Sequence, residues 1–352
     1  MKKNILNISL LLLLFSFCFS RVLRIATDPW PGAGLIYLAR QQGFFEESNL
    51  EIELIYYSEY SATIKAFKSG EVDMVQEAIY DAVITALDGY KFTIIMVPVD
   101  NIGFDFIAAT SEIESFEQLV GKKVGYPKGC IGEFLLYKAL EKHDMDFEDI
   151  KAIPLSFDEI GKELDSGNMD AGVLCYFNGC STGHILYSTK QFPAPNVLMV
   201  NSQYLEQNSE DIMKFVEVWN KSVKFYRENT EESVKIMTRE LGLNSEDFLF
   251  SLMFHAPIVS CEENAFKFIE VKKTAMDLLK WIYTSPNFPQ YSKKEILDLG
   301  QRIDSYFNNS YLLKYGYEIP CEKDRINTRV LLIIALVIMV ISCVLLTGLK
   351  RK

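Results

Sequence analysis

The sequence predicts a mainly parallel α/β chain with two lobes and a cleft between them. Three observations carry this prediction. Strand-like runs alternate with helical ones at the spacing of βαβ units, the alternation restarts after Gly121, and the chain turns strongly helical from about Ser209 to Ser285. A length of 352 residues accommodates two lobes, and a hydrophobic fraction of 49% supplies their cores.

The elements follow in order. "VLRIAT", from Val22, reads as a strand, "DPWPGAG" as a loop and "LIYLARQQGFF" as a helix closed by Gly43. "LEIELIYY" alternates as a second strand. "SEYSATIKAFKSG" is a helix with Ser58 or Ser61 near its N-cap and Gly70 past its end. "VDMVQEA" is a short strand, "YDAVITALDGY" a helix and "FTIIMVPVD" an apolar strand. After Gly121, "KKVGYP", "IKAIPL" and "MDAGVLCY" are strands, separated by the helices "IGEFLLYKALEKH" and "SFDEIGKELDSGN". The helical remainder includes "EDIMKFVEVWNKSVKFYREN" and "NAFKFIEVKKTAMDLLKWIY". No internal repeat or low-complexity segment interrupts the pattern.

Two terminal segments stand apart from the fold. Residues 1–20 read as a secretory signal peptide: Lys2 and Lys3 precede an apolar run from Ile5 to Phe19, and Cys18 and Ser20 supply the small residues before a cleavage at Arg21. A lipoprotein signal lipidated at Cys18 is the rival reading, and the bulky Phe17 before the cysteine argues against it. An uncleaved anchor is the other, and the apolar run is short for a span. Residues 329–349 read as a transmembrane helix, with Val330 to Leu349 an unbroken apolar run. Lys350, Arg351 and Lys352 follow it as a cytoplasmic tail by the positive-inside rule. The expected location is the cytoplasmic membrane, single-pass, with the body outside.

A formal net charge of −11 argues against nucleic acid or an anionic membrane surface as a partner. Five cysteines, Cys130, Cys175, Cys180, Cys261 and Cys321, fall in the exported body, where disulfides are permitted; their pairing is open. Catalytic signatures are lacking: the sequence has no Walker phosphate loop, no His-Glu-x-x-His and no nucleophile elbow. His143, His184 and His255 are scattered, and Cys175, Cys180 and His184 make at best part of a zinc set, so neither a metal nor a cofactor is expected.

In open parallel sheets ligands bind beyond the carboxyl ends of the strands. The loops there are "DPWPG", "SEYSA", "QEAIYD", "DNIGFD", "PKGCIG" and "CYFNGC". With "PWPGAGLIYLARQQGFFEESNLEIEL", "SATIKAFKSGEVDM", "ALDGYKFTII", "GFDFIAA", "IESFEQLVGKKVGYPKGCIGEFLLYKAL" and "IGKELDSGNMDAGVLCY", they form a series spanning roughly Arg24 to Val200. That ordered series resembles the substrate-binding proteins of ABC importers, in the branch that takes nitrate, sulfonates, taurine and thiamine pyrimidine precursors. The resemblance implies a periplasmic-binding-protein-like (type 2) fold. Its first lobe would be built from 21–108 and 199–322 and its second from 109–198, with hinge crossings near Phe106–Thr110 and Val197–Val200. It also implies a small-molecule ligand held in the cleft and an ABC permease as partner.

The candidate ligand residues sit in those loops. Gly129, Cys130, Ile131 and Gly132 open a helix whose free N–H groups can hold an anionic or accepting group; the bland alternative is a plain αβ turn. The family often has a small hydroxyl residue where Cys130 stands. Trp30, between two prolines, offers a rigid aromatic to stack on a flat ligand, or a core ring. Ser61 offers a hydroxyl that also serves as a cap. Glu77, Tyr80 and Asp105 follow later strands, and carboxylates there suit an amine or a pyrimidine amino group; Asp105 aligns with a family segment that often carries aspartate. Tyr176 and Asn178 follow the last strand of the second lobe and can close over a ligand, or simply pack in their loop.

The leading expectation is a membrane-tethered solute-binding protein that captures a small polar molecule, a sulfonate, a nitrate-like anion or a pyrimidine or amine, and delivers it to an importer. The alternatives are a sensor ectodomain signalling to a membrane partner and, more remotely, an enzyme. The same fold serves a eukaryotic thiamine-pyrimidine synthase with a cysteine-rich run, and "CYFNGC" is not that run.

Overall fold

The computed structural model describes residues 22–176 and 183–315. The signal-peptide segment 1–20, the apolar run 329–349 and its tail, together with Asn178, Cys180 and Cys321, lie outside the described residues. Among the described residues no helix is long and apolar enough to cross a membrane.

Two five-stranded sheets organise the chain. In the first, the order is β2-β1-β3-β10-β4, formed by Ile52–Tyr56, Leu23–Thr27, Met74–Ala78, Asn196–Asn201 and Phe92–Met96. In the second it is β7-β6-β8-β5-β9, formed by Lys151–Pro154, Lys123–Tyr126, Ala171–Cys175, Asp105–Ala109 and His184–Ser188. The predicted parallel pairs are present: β1 with β2 and β3, and β6 with β7 and β8. Each sheet also takes in one antiparallel strand. β10 lies between β3 and β4, and β5 between β8 and β9.

Those two strands sit beside the points where the chain changes sheets. It leaves the first sheet between Met96 and Asp105 and returns between Ser188 and Asn196. The crossings therefore precede β5 and β10, and the segments expected to cross, 106–110 and 197–200, are chiefly ladder strands.

The helices that matter for the cleft are α1 (Gly34–Gln41), α2 (Phe44–Glu47), α3 (Tyr60–Ser69), α4 (Ile79–Leu87), α5 (Ile131–Lys142) and α6 (Phe157–Asp165). After β10 come α7 (Ser202–Gln207), α8 (Ser209–Glu228), α9 (Thr230–Leu241), α10 (Ser245–Phe254), α11 (Cys261–Thr284) and α12 (Lys293–Arg302). Local sequence explains their ends. Ser156, Ser260 and Ser292 each form a capping box with the glutamate three residues on, at 159, 263 and 295. α3 differs from expectation: it begins at Tyr60 with Glu59 at the cap position and no side-chain cap bond, so neither Ser58 nor Ser61 caps it.

The first sheet and the C-terminal helices share one large core, with Trp219, Phe215, Phe45 and Phe248 fully buried. The second sheet has smaller apolar clusters, one centred on Ile107, Val124 and Val173 and another on Phe106, Ile160 and Leu174. Ile131 and Phe134, at the start of α5, belong to the first core although β6 leads into them. Phe134 stacks on Tyr80 of α4 at 4.7 Å and meets Trp281 of α11 edge-on at 4.9 Å. Leu135, Leu136, Ala139 and Leu140 of the same helix belong to the second sheet's core, so α5 joins the two cores.

Candidate functional site

Between the two sheets lies a cavity of about 190 Å³. Loops beyond the ends of strands line it, as the parallel-sheet rule predicts. The loop after β1 contributes Asp28, Pro29 and Trp30, and the loop after β2 contributes Tyr56, Ser58, Glu59 and Tyr60. The first crossing gives Asn101, Phe104 and Asp105, and the start of α6 gives Phe157 and Asp158. Ala78, Ile131, Cys175 and Asn196 complete the wall.

Of the residues singled out in sequence, Trp30, Asp105 and Ile131 line this cavity. Trp30 is buried and meets Phe104 edge-on, with ring centroids 4.3 Å apart. Asp105 accepts a hydrogen bond from Asn101 Nδ2 at 2.6 Å. Asn101 Oδ1 in turn accepts from Thr189 Oγ1 at 2.7 Å, so one network ties both crossings together. Burial pushes the Asp105 carboxyl up to about 6, against the Asn101 bond, which favours its charged form.

The other candidates stand elsewhere. Glu77 is fully buried and accepts from Thr63 Oγ1 at 2.5 Å. Tyr80 is buried against Phe134. Tyr176 packs beside the cavity, on Phe104, Phe106 and the ring of His255. Ser61 and Cys130 line a neighbouring hollow of about 290 Å³ with Pro127, Lys128 and Glu159.

The helix start at Gly129 to Gly132 has protein partners of its own. Gly129, at φ 79°, donates its N–H to Glu133 Oε2 at 2.8 Å. The backbone of Ile131 hydrogen-bonds Asp81, a carboxylate from α4 on the first-sheet side, which also accepts from Tyr60 Oη at 2.6 Å. Gly132 is small for packing: a Cβ there would stand 2.2 Å from Pro127 Cγ. Asp81 thus occupies the position at the helix dipole that an anionic ligand group was expected to take.

Sequence reasoning passed over Asp28, although it lies in a flagged loop. Burial pushes its carboxyl up to about 7, while the backbone N–H groups of residues 28 and 30 favour the charged form. Glu77 and Asp81 are also driven upward, first by burial, and Glu77 next by the charge of Asp81. Among the described residues, four carboxylates line the cavity, Asp28, Glu59, Asp105 and Asp158, and no lysine, arginine or histidine does. Five aromatic residues, Trp30, Tyr56, Tyr60, Phe104 and Phe157, form much of the remainder. Such a site favours positive charge and flat or aliphatic surface.

Two sheets joined by paired crossings around an interlobe cavity define an α/β protein of periplasmic-binding-protein-like fold. The solved structures agree. The aliphatic sulphonate binding protein SsuA of Escherichia coli matches with a TM-score of 0.60 at 18% identity, covering 78% of this chain and 95% of that one. The nitrate-binding protein NrtA of Synechocystis matches with a TM-score of 0.64 at 14% identity, over 85% and 89%. More particularly, the chain belongs to the NMT1/THI5-like family, whose model matches residues 30–233. Among its relatives, a formylaminopyrimidine-binding protein of Halalkalibacterium halodurans is 24% identical, over 60% of this chain and 68% of its own length. A 4-amino-5-hydroxymethyl-2-methylpyrimidine phosphate synthase of Saccharomyces cerevisiae is 29% identical, over 42% and 43%.

Proposed function

We propose that this protein is a solute-binding protein that captures a small, amine-bearing cation between its two lobes and hands it to an ABC importer permease. The observation that carries the ligand class is the lining: among the described residues, four carboxylates and no basic side chain. A sulfonate or nitrate placed there would face uncompensated negative charge at low dielectric. An amine or protonated aminopyrimidine would find charge partners and aromatic walls. The likeness to a formylaminopyrimidine-binding protein supports an amino-bearing heterocycle within this class. No chemical step is part of this reading. The body is held outside the cytoplasmic membrane and tethered through 329–349, with lobes formed from 21–108 plus 199–322 and from 109–198.

The test is a thermal-shift panel on the purified protein. Aminopyrimidines and alkylamines are expected to raise the melting temperature in a concentration-dependent way, and nitrate and alkanesulfonates to leave it unchanged. Asp105→Asn, which keeps the shape and removes the charge, is expected to weaken an amine ligand roughly 10- to 100-fold. A shift with nitrate or an alkanesulfonate and none with any amine overturns the reading.

A further inference from the structure

The Asp105 carboxylate is aimed into the cavity by a residue of the opposite crossing. Asp105 opens β5, and in the antiparallel β5–β9 ladder Phe106 stands opposite Ser188. The next step of that ladder sets Thr189, at the start of the second crossing, level with Asp105. Thr189 is fixed locally: Gln191 Oε1 accepts from the Ser188 N–H and from its hydroxyl, each at 3.1 Å, in a capping box around a short turn.

The Thr189 hydroxyl is used in both directions. Its Oγ1 accepts from the Gly103 N–H at 3.0 Å. Its single hydrogen has two acceptors in reach, Asn101 Oδ1 at 2.7 Å and the Asp105 carbonyl at 3.3 Å, and the nearer is the stronger partner. Asn101 Oδ1 also accepts from the Phe104 N–H at 3.2 Å. Two donors on the amide oxygen turn the amide nitrogen the other way, and Nδ2 donates to Asp105 Oδ2 at 2.6 Å. The reverse orientation would set Oδ1 against a carboxylate and Nδ2 against two donors. Asn101, Asp105 and Thr189 are all buried. Asn101 and Asp105 line the ligand cavity, whereas Thr189 lines a separate hollow of about 510 Å³ formed by both crossings and α11. Phe104, held by the same amide, is the ring that meets Trp30 edge-on.

We propose that Thr189 is a positioning residue for the ligand: it acts through Asn101 to aim the Asp105 carboxylate, so the site is complete only while the two crossings keep this spacing. The chain changes sheets through these crossings, so a rotation of one sheet against the other acts on that spacing. Hydrogen bonds weaken steeply with distance and angle, and the carboxylate loses its aim as the crossings part. A cation drawn to Asp105 therefore favours the arrangement in which they are joined. This rests on the cationic reading of the site and adds a residue outside the cavity to those that set affinity.

The experiment pairs isothermal titration with NMR on the full chain, with butylamine and a 4-aminopyrimidine as probes. Thr189→Val, which keeps the shape and removes the hydroxyl, is expected to weaken amine binding roughly 3- to 10-fold, and Thr189→Ser to restore it. Asn101→Ala is expected to weaken it at least as much, and Thr189→Val added to Asn101→Ala to cost nothing further. Proton–nitrogen correlation spectra read the coupling without any ligand. The Asn101 side-chain amide signals, identified by their loss in Asn101→Ala, are expected to shift in Thr189→Val and to stay in place in Thr189→Ser. Should Thr189→Val not fold, the coupling is read in reverse: Asp105→Asn is expected to move the Asn101 amide and the Thr189 methyl signals, and unmoved signals overturn the proposal. Amide signals unmoved in a folded Thr189→Val overturn it whichever probe binds. Amine binding unchanged in Thr189→Val, or a full further loss on top of Asn101→Ala, overturns it as well. If neither amine binds while the signals follow Thr189, the cationic reading falls and the aiming of Asp105 by Thr189 stands.

Discussion

Between about pH 4 and pH 7 the ligand-free protein is expected to lose stability as the pH rises, and Asp28→Asn to remove a large part of that loss. The Asp28 carboxyl holds its proton up to about 7 in the fold, against an ordinary 3.8. Between those values the folded chain binds more protons than the unfolded one, so stability falls with rising pH and levels off above the folded value. A shift of that size in one buried group corresponds to about 4 kcal/mol as an upper figure. Glu77 and Tyr56 both feel the charge of Asp28, and neither is cationic. Asp105, raised to about 6, acts in the same direction. Urea denaturation at pH 5 and pH 8 reads the effect. Asp28→Asn is expected to be near neutral at the lower pH and stabilising at the higher one. Parallel wild-type and variant curves would show that Asp28 titrates normally.

This instability has a functional counterpart. A carboxylate buried without a cationic partner among the described residues destabilises the protein above its raised pKa, and the cationic ligand proposed above would supply that partner. Asp28→Asn is therefore expected to separate the two properties, gaining stability at neutral pH while losing affinity. Such a trade between stability and function is common at binding sites.

The sequence made the βαβ alternation legible because it is written in local periodicity. The predicted strands before Gly121 correspond to β1 to β4, and those after it to β6 to β8. The placement of β10 between β3 and β4 was not legible, because it depends on pairing with strands a hundred or more residues away. The site shows the same division. Trp30 and Asp105, read from their position after strands, line the cavity. Asp28 sits two residues from Trp30, but its importance comes from burial by distant residues, which no local pattern reports. The helix start at Ile131 read as an open anion site because its partner, Asp81, lies fifty residues away in sequence. Asp158 escaped because "SFDEIGKELDSGN" read simply as a helix, whose start Ser156 and Glu159 cap.

Gly172→Ala is expected to destabilise the protein by about 3 kcal/mol, at the upper end for overpacking a core. A Cβ at Gly172 of β8 would stand 2.3 Å from Ile160 Cγ2 and 3.3 Å from Leu164 Cδ1. Gly125 of the neighbouring β6 leaves similar room, with its would-be Cβ 2.9 Å from Ile160 Cγ1. Ile160 is fully buried, so α6 lies on the sheet through a groove that the two glycines open. Ile160→Ala alone leaves a cavity and is expected to cost about 2 to 5 kcal/mol. In the double variant the new methyl occupies part of that space, so the two losses are expected to fall short of their sum by about 1 to 3 kcal/mol. Strict additivity in urea denaturation would mean that the helix has moved away and no longer senses the glycine. The same helix carries Phe157 and Asp158 into the cavity. A displaced α6 would therefore also weaken the binding of a cationic ligand, and restored packing in the double variant would restore part of that affinity. Recovery of stability without recovery of binding would separate the helix's place in the core from its place at the cavity.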